Sequence, residues 1–111
     1  MAPITTIVHF QVPAENVERF FAFWRDHIQK NVEGQPGLID GVFHRGIDPD
    51  GPHQFINVAH WDSAEALASG LRATAEQLPV AQVFQDLGVK VSQNNYVEEV
   101  RYTANPSPAQ H

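Results

Sequence analysis

Val17, Phe20, Phe21, Trp24 and Ile28 recur at three- and four-residue steps between Glu15 and about Val32. That period belongs to a helix with one strongly apolar stripe. A stripe so rich in aromatic rings has to be buried, and the segments flanking it have the period of strands. Ile4 to Val12 alternates, with Val8, Phe10 and Val12 on one face and Ile7, His9 and Gln11 on the other. Pro13, which lacks a ladder donor, stops that strand, and Gly34, Pro36 and Gly37 stop the helix. The helix therefore has a sheet to lie on.

Leu38 to Arg45 reads as a second strand and Phe55 to Trp61 as a third, joined through the turn formers Asp48-Pro49-Asp50-Gly51-Pro52. Asp62 reads as a helix N-cap, with Glu65 completing a capping box. The helix that follows carries Leu67, Leu71, Ala75 and Leu78 on one side, and Gly70 weakens it in the middle. Pro79 to Leu87 reads as a further helical segment closed by Gly88, and a last strand is expected from about Asn95 to Tyr102. This order predicts an α+β fold, a ferredoxin-like β-α-β-β-α-β with a four-stranded antiparallel sheet. Residues 1–103 form a single domain and 104–111, with Pro106 and Pro108, a flexible tail. Helices cover only one face of such a sheet. A chain of 111 residues has nothing left for the other face, so a homodimer joined sheet to sheet is expected.

Composition narrows the chemistry. Seven basic against 13 acidic side chains argue against nucleic acid and anionic membrane surfaces as partners. The absence of cysteine removes thiolate nucleophiles, Cys-rich zinc sites and iron–sulfur clusters, and suits a cytoplasmic protein. No membrane-spanning run, secretory leader, phosphate loop, dinucleotide fingerprint or nucleophile elbow is present in the sequence. His9 and His60 fall on the strand faces opposite Val8 and Asn57, without an acidic ligand at a compelling spacing, so no metal site is expected. His27, His53 and His111 read as solvated.

The most informative stretch is Phe55-Ile56-Asn57-Val58-Ala59-His60-Trp61-Asp62-Ser63, where parity puts Phe55, Asn57, Ala59 and Trp61 on one face. A buried amide and indole need partners, from the protein or from a ligand in a cavity. Both readings are open for each residue. Phe20 and Trp24, on the edge of the aromatic stripe, are candidate substrate contacts, as are Val8, Phe10, Leu67 and Leu71. His44 shares parity with Leu38 and Val42. Near neutral pH it would serve as a general base if it faces the cavity.

Three features together resemble the antibiotic biosynthesis monooxygenase family, over about Ile4 to Leu87. They are the first helix running into Pro36-Gly37-Leu38-Ile39, the strand Phe43-His44-Arg45-Gly46-Ile47-Asp48, and Asn57 to Ser63. The resemblance implies a dimeric α/β barrel. In one branch it implies an oxygenase without cofactor that oxidises anthrone-, hydroquinone- or polyketide-like aromatics with molecular oxygen. Members of that branch use an Asn and a Trp on this strand, matched by Asn57 and Trp61; some carry a second Asn on the first strand, where Val8 stands. Haem-degrading members carry an axial His where this chain has Leu71, which speaks against haem. A binding module, isomerase or cyclase using the same pocket is the alternative, since fold alone does not decide among them.

Overall fold

The computed structural model describes residues 3–51 and 54–106. Strands β1 (Ile4–Gln11), β2 (Leu38–Arg45), β3 (Phe55–Trp61) and β4 (Lys90–Tyr96) form one antiparallel sheet in the order β2-β3-β1-β4. This is the expected ferredoxin-like arrangement. The helices are α1 (Val17–Phe23), a π-helical segment (Trp24–Gln29), α2 (Lys30–Glu33), α3 (Ala64–Gln77) and α4 (Val80–Leu87). His53, His111 and Pro52 lie outside the described residues, as does the tail beyond 106.

The π segment has a physical reason. Phe20, Trp24 and Ile28 are spaced by four, and steps of four overshoot a 3.6-residue turn. A wider turn takes up the excess and keeps all three on the buried side, where Phe20 is fully buried and Trp24 and Ile28 nearly so. They pack with Phe10, Val12, Phe55 and Leu87 into the main core. A second, smaller cluster holds Ala59, Trp61 and Leu67.

Three boundaries differ from expectation. The N-cap of α3 is Ser63, whose hydroxyl accepts from the Ala66 N–H at 3.1 Å. Asp62 lies one residue too early, so the capping box with Glu65 does not form. The last strand is Lys90–Tyr96, not Asn95–Tyr102. Its polar run Ser92-Gln93-Asn94-Asn95 hides it from a hydrophobic pattern, because every residue of this edge strand is exposed. The third is a bulge in β2. Leu38 pairs with Trp61 but Asp40 with His60, so Ile39 is the extra residue.

Gly88 ends α4 in the left-handed region at φ 72°, and a Cβ there would lie 3.0 Å from Pro13 Cγ. Gly88→Ala is expected to cost about 1–2 kcal/mol, a fall in Tm of about 5–10 °C. Scanning calorimetry of the two proteins measures it.

Candidate active site

The helix-facing side of the sheet carries four cross-strand rows. Arg45, Phe55, Phe10 and Val91 form one, and Phe43, Asn57, Val8 and Gln93 the next. Gly41, Ala59, Thr6 and Asn95 follow, then Leu38, Trp61 and Ile4. The third row is mostly small, with large rings on either side of it. Small side chains beneath a helix that cannot sag leave a void, and a cavity of about 790 Å³ lies there. Its floor includes Val8, Gly41, Asn57 and Ala59, and its walls Phe10, Trp24, Phe43 and Trp61. Residues of both core clusters line it, so the core is interrupted where it sits. The volume suits a small organic ligand, and the lining is mainly apolar with a few polar groups.

Two of those polar groups have no hydrogen-bond partner among the described residues. The indole Nε1 of Trp61 is buried with no hydrogen-bond partner among the described residues. None of the side-chain hydrogen bonds among the described residues involves the Asn57 amide, which is half-buried at the cavity wall. A buried donor left without an acceptor costs about 1–3 kcal/mol. The Asn57 amide therefore borders the apolar cavity unsatisfied, while Trp61 walls it with its ring and keeps Nε1 buried.

Trp61 is also held from behind. A Cβ on Gly70 would stand 2.5 Å from Trp61 Cη2 and 2.7 Å from Cζ3. Gly70 is therefore the seat of the indole, where the sequence reads it as a weak point of a helix. The opposite wall is a stack of Trp24 on Phe43, with ring centroids 3.8 Å apart. Thr74 of α3 also lines the cavity. Its hydroxyl donates to Asn31 Oδ1 at 2.8 Å, which ties α3 to α2 across the roof.

Of the residues expected at the site, Asn57, Trp61, Val8, Phe10, Trp24 and Leu71 line the cavity together. The others do not. Phe20 is fully buried among Phe10, Phe55 and Phe84, with centroids 5.1 to 5.6 Å away, and touches no cavity wall. Leu67 is buried in the cluster with Ala59 and Trp61. His44 is on the wrong face. The bulge at Ile39 reverses parity beyond it, so Phe43 faces the cavity while His44 faces away and bonds the Ile56 carbonyl at 3.2 Å through Nδ1. A one-residue slip moves every side chain to the other face. His44 is no base for this cavity.

Thr6, Gly41, Phe43 and Gln93 are lining residues that sequence reasoning missed. The register of β1 against β4 would have found Gln93, had the last strand been placed correctly. At the mouth stands the carboxylate of Glu33, while Asp40 pairs with His60 in a row that faces away from the helices. Asp40 also meets His60 Nδ1 at 2.5 Å. At the far end of β2, Arg45 lies over the rings of Phe21 and Phe55 at 5.1 and 5.0 Å. Its two bonds to Glu18 hold that carboxyl below the usual carboxylate range. Among the described residues no cluster of three or more metal-ligating side chains is present, and no helix is long and apolar enough to cross a membrane.

No curated protein sequence matches the chain. Several solved structures share its fold. A provisionally assigned monooxygenase from Shewanella loihica is 28% identical, with a TM-score of 0.69 over 91% of this chain and 97% of that one. SnoaB, a cofactor-independent oxygenase from Streptomyces nogalater, is 20% identical, with a TM-score of 0.69 over the same shares, 91% and 97%. The ActVA-Orf6 monooxygenase of Streptomyces coelicolor, solved with nanaomycin D, is 16% identical, with a TM-score of 0.71 over 96% and 94%. The family model for antibiotic biosynthesis monooxygenases matches residues 3–75, which hold the first three strands, the bulge and both unpartnered donors. The chain belongs to the antibiotic biosynthesis monooxygenase family.

Proposed function

We propose that the cavity oxidises a reduced aromatic of the anthrone or hydroquinone class with molecular oxygen, drawing the electrons from the substrate. The observation that carries this is the Asn57 amide, with no side-chain hydrogen bond among the described residues, beside the Trp61 ring on the wall of an apolar cavity. Oxygen chemistry ordinarily relies on a metal or flavin. A deprotonated anthrone is itself electron-rich enough to reduce oxygen, and the protein need only bind, orient and shield it. For an anthrone the balance is one oxygen molecule consumed, one oxygen atom entering the ring methylene as a carbonyl, and the other leaving as water. Asn57 donates to the phenolate as charge collects on its oxygen, a role in which a preorganised donor acts most strongly. Trp61 walls the ring. The carboxylate at the mouth, Glu33, is the group placed to take up the proton.

The working unit is a homodimer in the cytoplasm. The sheet face away from the helices carries Ile7, Val42, Ile56 and Val58 in adjoining rows, with no helix of the described residues over it. Residues 97–106 extend past β4 with Val97, Val100 and Tyr102 exposed. The radius of gyration is 16.1 Å, against about 13 Å for a compact chain of this length. A second copy would cover both the face and the arm.

Metal-stripped protein mixed with an anthrone in an oxygen electrode tests the reaction. Oxygen uptake well above buffer, with anthraquinone as product, is expected. A rate equal to buffer, with the anthrone still quenching tryptophan fluorescence, would overturn the oxygenase reading. The family member would then be a binding module, or an isomerase or cyclase.

A further inference from the structure

Asn57 and Gln93 flank Val8 in a single row: Val8 pairs with Asn57 of β3 on one side and with Gln93 of β4 on the other. All three line the cavity, and Val8 offers no donor of its own. Gln93 is exposed, yet its amide is fixed. Nε2 donates to Thr6 Oγ1 at 3.2 Å and to Asn95 Oδ1 at 3.3 Å. Thr6, 2% exposed, in turn donates to Asn95 Oδ1 at 2.8 Å.

Those lengths decide what the amide has left. A triangle with sides of 2.8, 3.2 and 3.3 Å has roughly 50° at the nitrogen. The trigonal angle between the two N–H bonds of an amide is more than twice that. Both acceptors therefore share one N–H in a three-centre bond. The second N–H of Gln93 is held at a set angle and remains for a ligand.

We infer that Gln93 is a second substrate-binding donor, acting with Asn57 to grip an aromatic ring that carries oxygen at two opposite edges. This rests on the reading of the cavity as an aromatic-binding site. Two interstrand spacings put the Asn57 and Gln93 backbones about 9–10 Å apart. Both side chains rise from the same face of the sheet, so a ring lying above Val8 meets one amide at each edge through hydrogen bonds of about 2.9 Å. Gln93 thus selects substrates with oxygens across the ring over those with one. Thr6 and Asn95 are its positioning residues.

Both tryptophans of the chain, Trp24 and Trp61, line the cavity, so fluorescence quenching reports occupancy. The test titrates 1,4-dihydroxynaphthalene and 1-naphthol, without oxygen, into wild type, Gln93→Leu and Gln93→Glu. Wild type is expected to prefer the diol. Both variants are expected to weaken diol binding about five- to tenfold and to leave 1-naphthol unchanged. The glutamate variant keeps the volume and removes the donor, so it separates hydrogen bonding from shape. Unchanged diol affinity in both variants overturns the assignment to Gln93 while the cavity stands. Equal weakening of both ligands overturns it too, as a loss of shape. If wild type binds neither compound, the aromatic-site reading falls with it.

Discussion

Asn57→Ala is expected to lower the rate of oxygen consumption with an anthrone about a hundredfold, while changing Tm by only a degree or two. The size follows from the role. A donor aimed at an oxygen that gains charge in the transition state contributes about 10²–10³ in rate when its alternative is an apolar wall. The small structural cost follows from the surroundings. Among the described residues the Asn57 side chain makes no hydrogen bond, and it stands half-buried at a cavity wall. Truncating it leaves no protein partner orphaned and shortens a side chain that borders empty space. Substrate affinity, read by tryptophan quenching, is expected to fall less than the rate, because the neutral phenol needs the donor less than the phenolate does. Steady-state oxygen uptake, the quenching titration and calorimetry on one preparation give all three numbers. A hundredfold loss accompanied by a large fall in Tm would make Asn57 a structural residue. A full rate in the variant would remove it from the mechanism.

Most of the fold was legible because its elements have clean periods. Leu38–Arg45 and Phe55–Trp61 are observed with the predicted bounds, since both are flanked by turn-forming residues and pair in mid-sheet or beside it. β4 was misplaced for the opposite reason. An uncovered edge strand has no buried face, so Ser92, Gln93, Asn94 and Asn95 carry no hydrophobic signal, and the apolar Val97 and Val100 drew the strand too far along. The site was legible on β3, where Asn57 and Trp61 interrupt an otherwise apolar face. On β2 it was not, because one extra residue at Ile39 exchanges His44 for Phe43, and a bulge leaves no composition mark in Leu38-Ile39-Asp40-Gly41. The cavity itself is written in what is missing. Gly41 and Ala59 are small only by comparison with their row neighbours, and those rows exist only once the register is known.

Gly70→Ala provides the sharpest test of how the site is held. In a helix interior, alanine is favoured over glycine by about 1 kcal/mol, so propensity alone predicts a more stable protein. Packing opposes it. The added Cβ would meet Trp61 Cη2 at 2.5 Å and Cζ3 at 2.7 Å, and Trp61 is only 1% exposed, wedged between β3 and α3. Overpacking of this kind costs about 1–3 kcal/mol, and two rigid ring atoms put this site at the upper end. The net expectation is a loss of about 1–2 kcal/mol. The indole's one escape is into the cavity it lines, so the variant is also expected to lose ligand affinity and to shift its tryptophan emission. Trp61→Phe removes the two ring atoms involved. In the Gly70→Ala background that second change is expected to restore part of the lost stability, whereas on its own it destabilises. The double-mutant cycle therefore has a coupling of opposite sign to the single effects. Additive single effects would mean that Gly70 does not seat Trp61. An increase in Tm for Gly70→Ala alone would mean that the helix yields before the ring does.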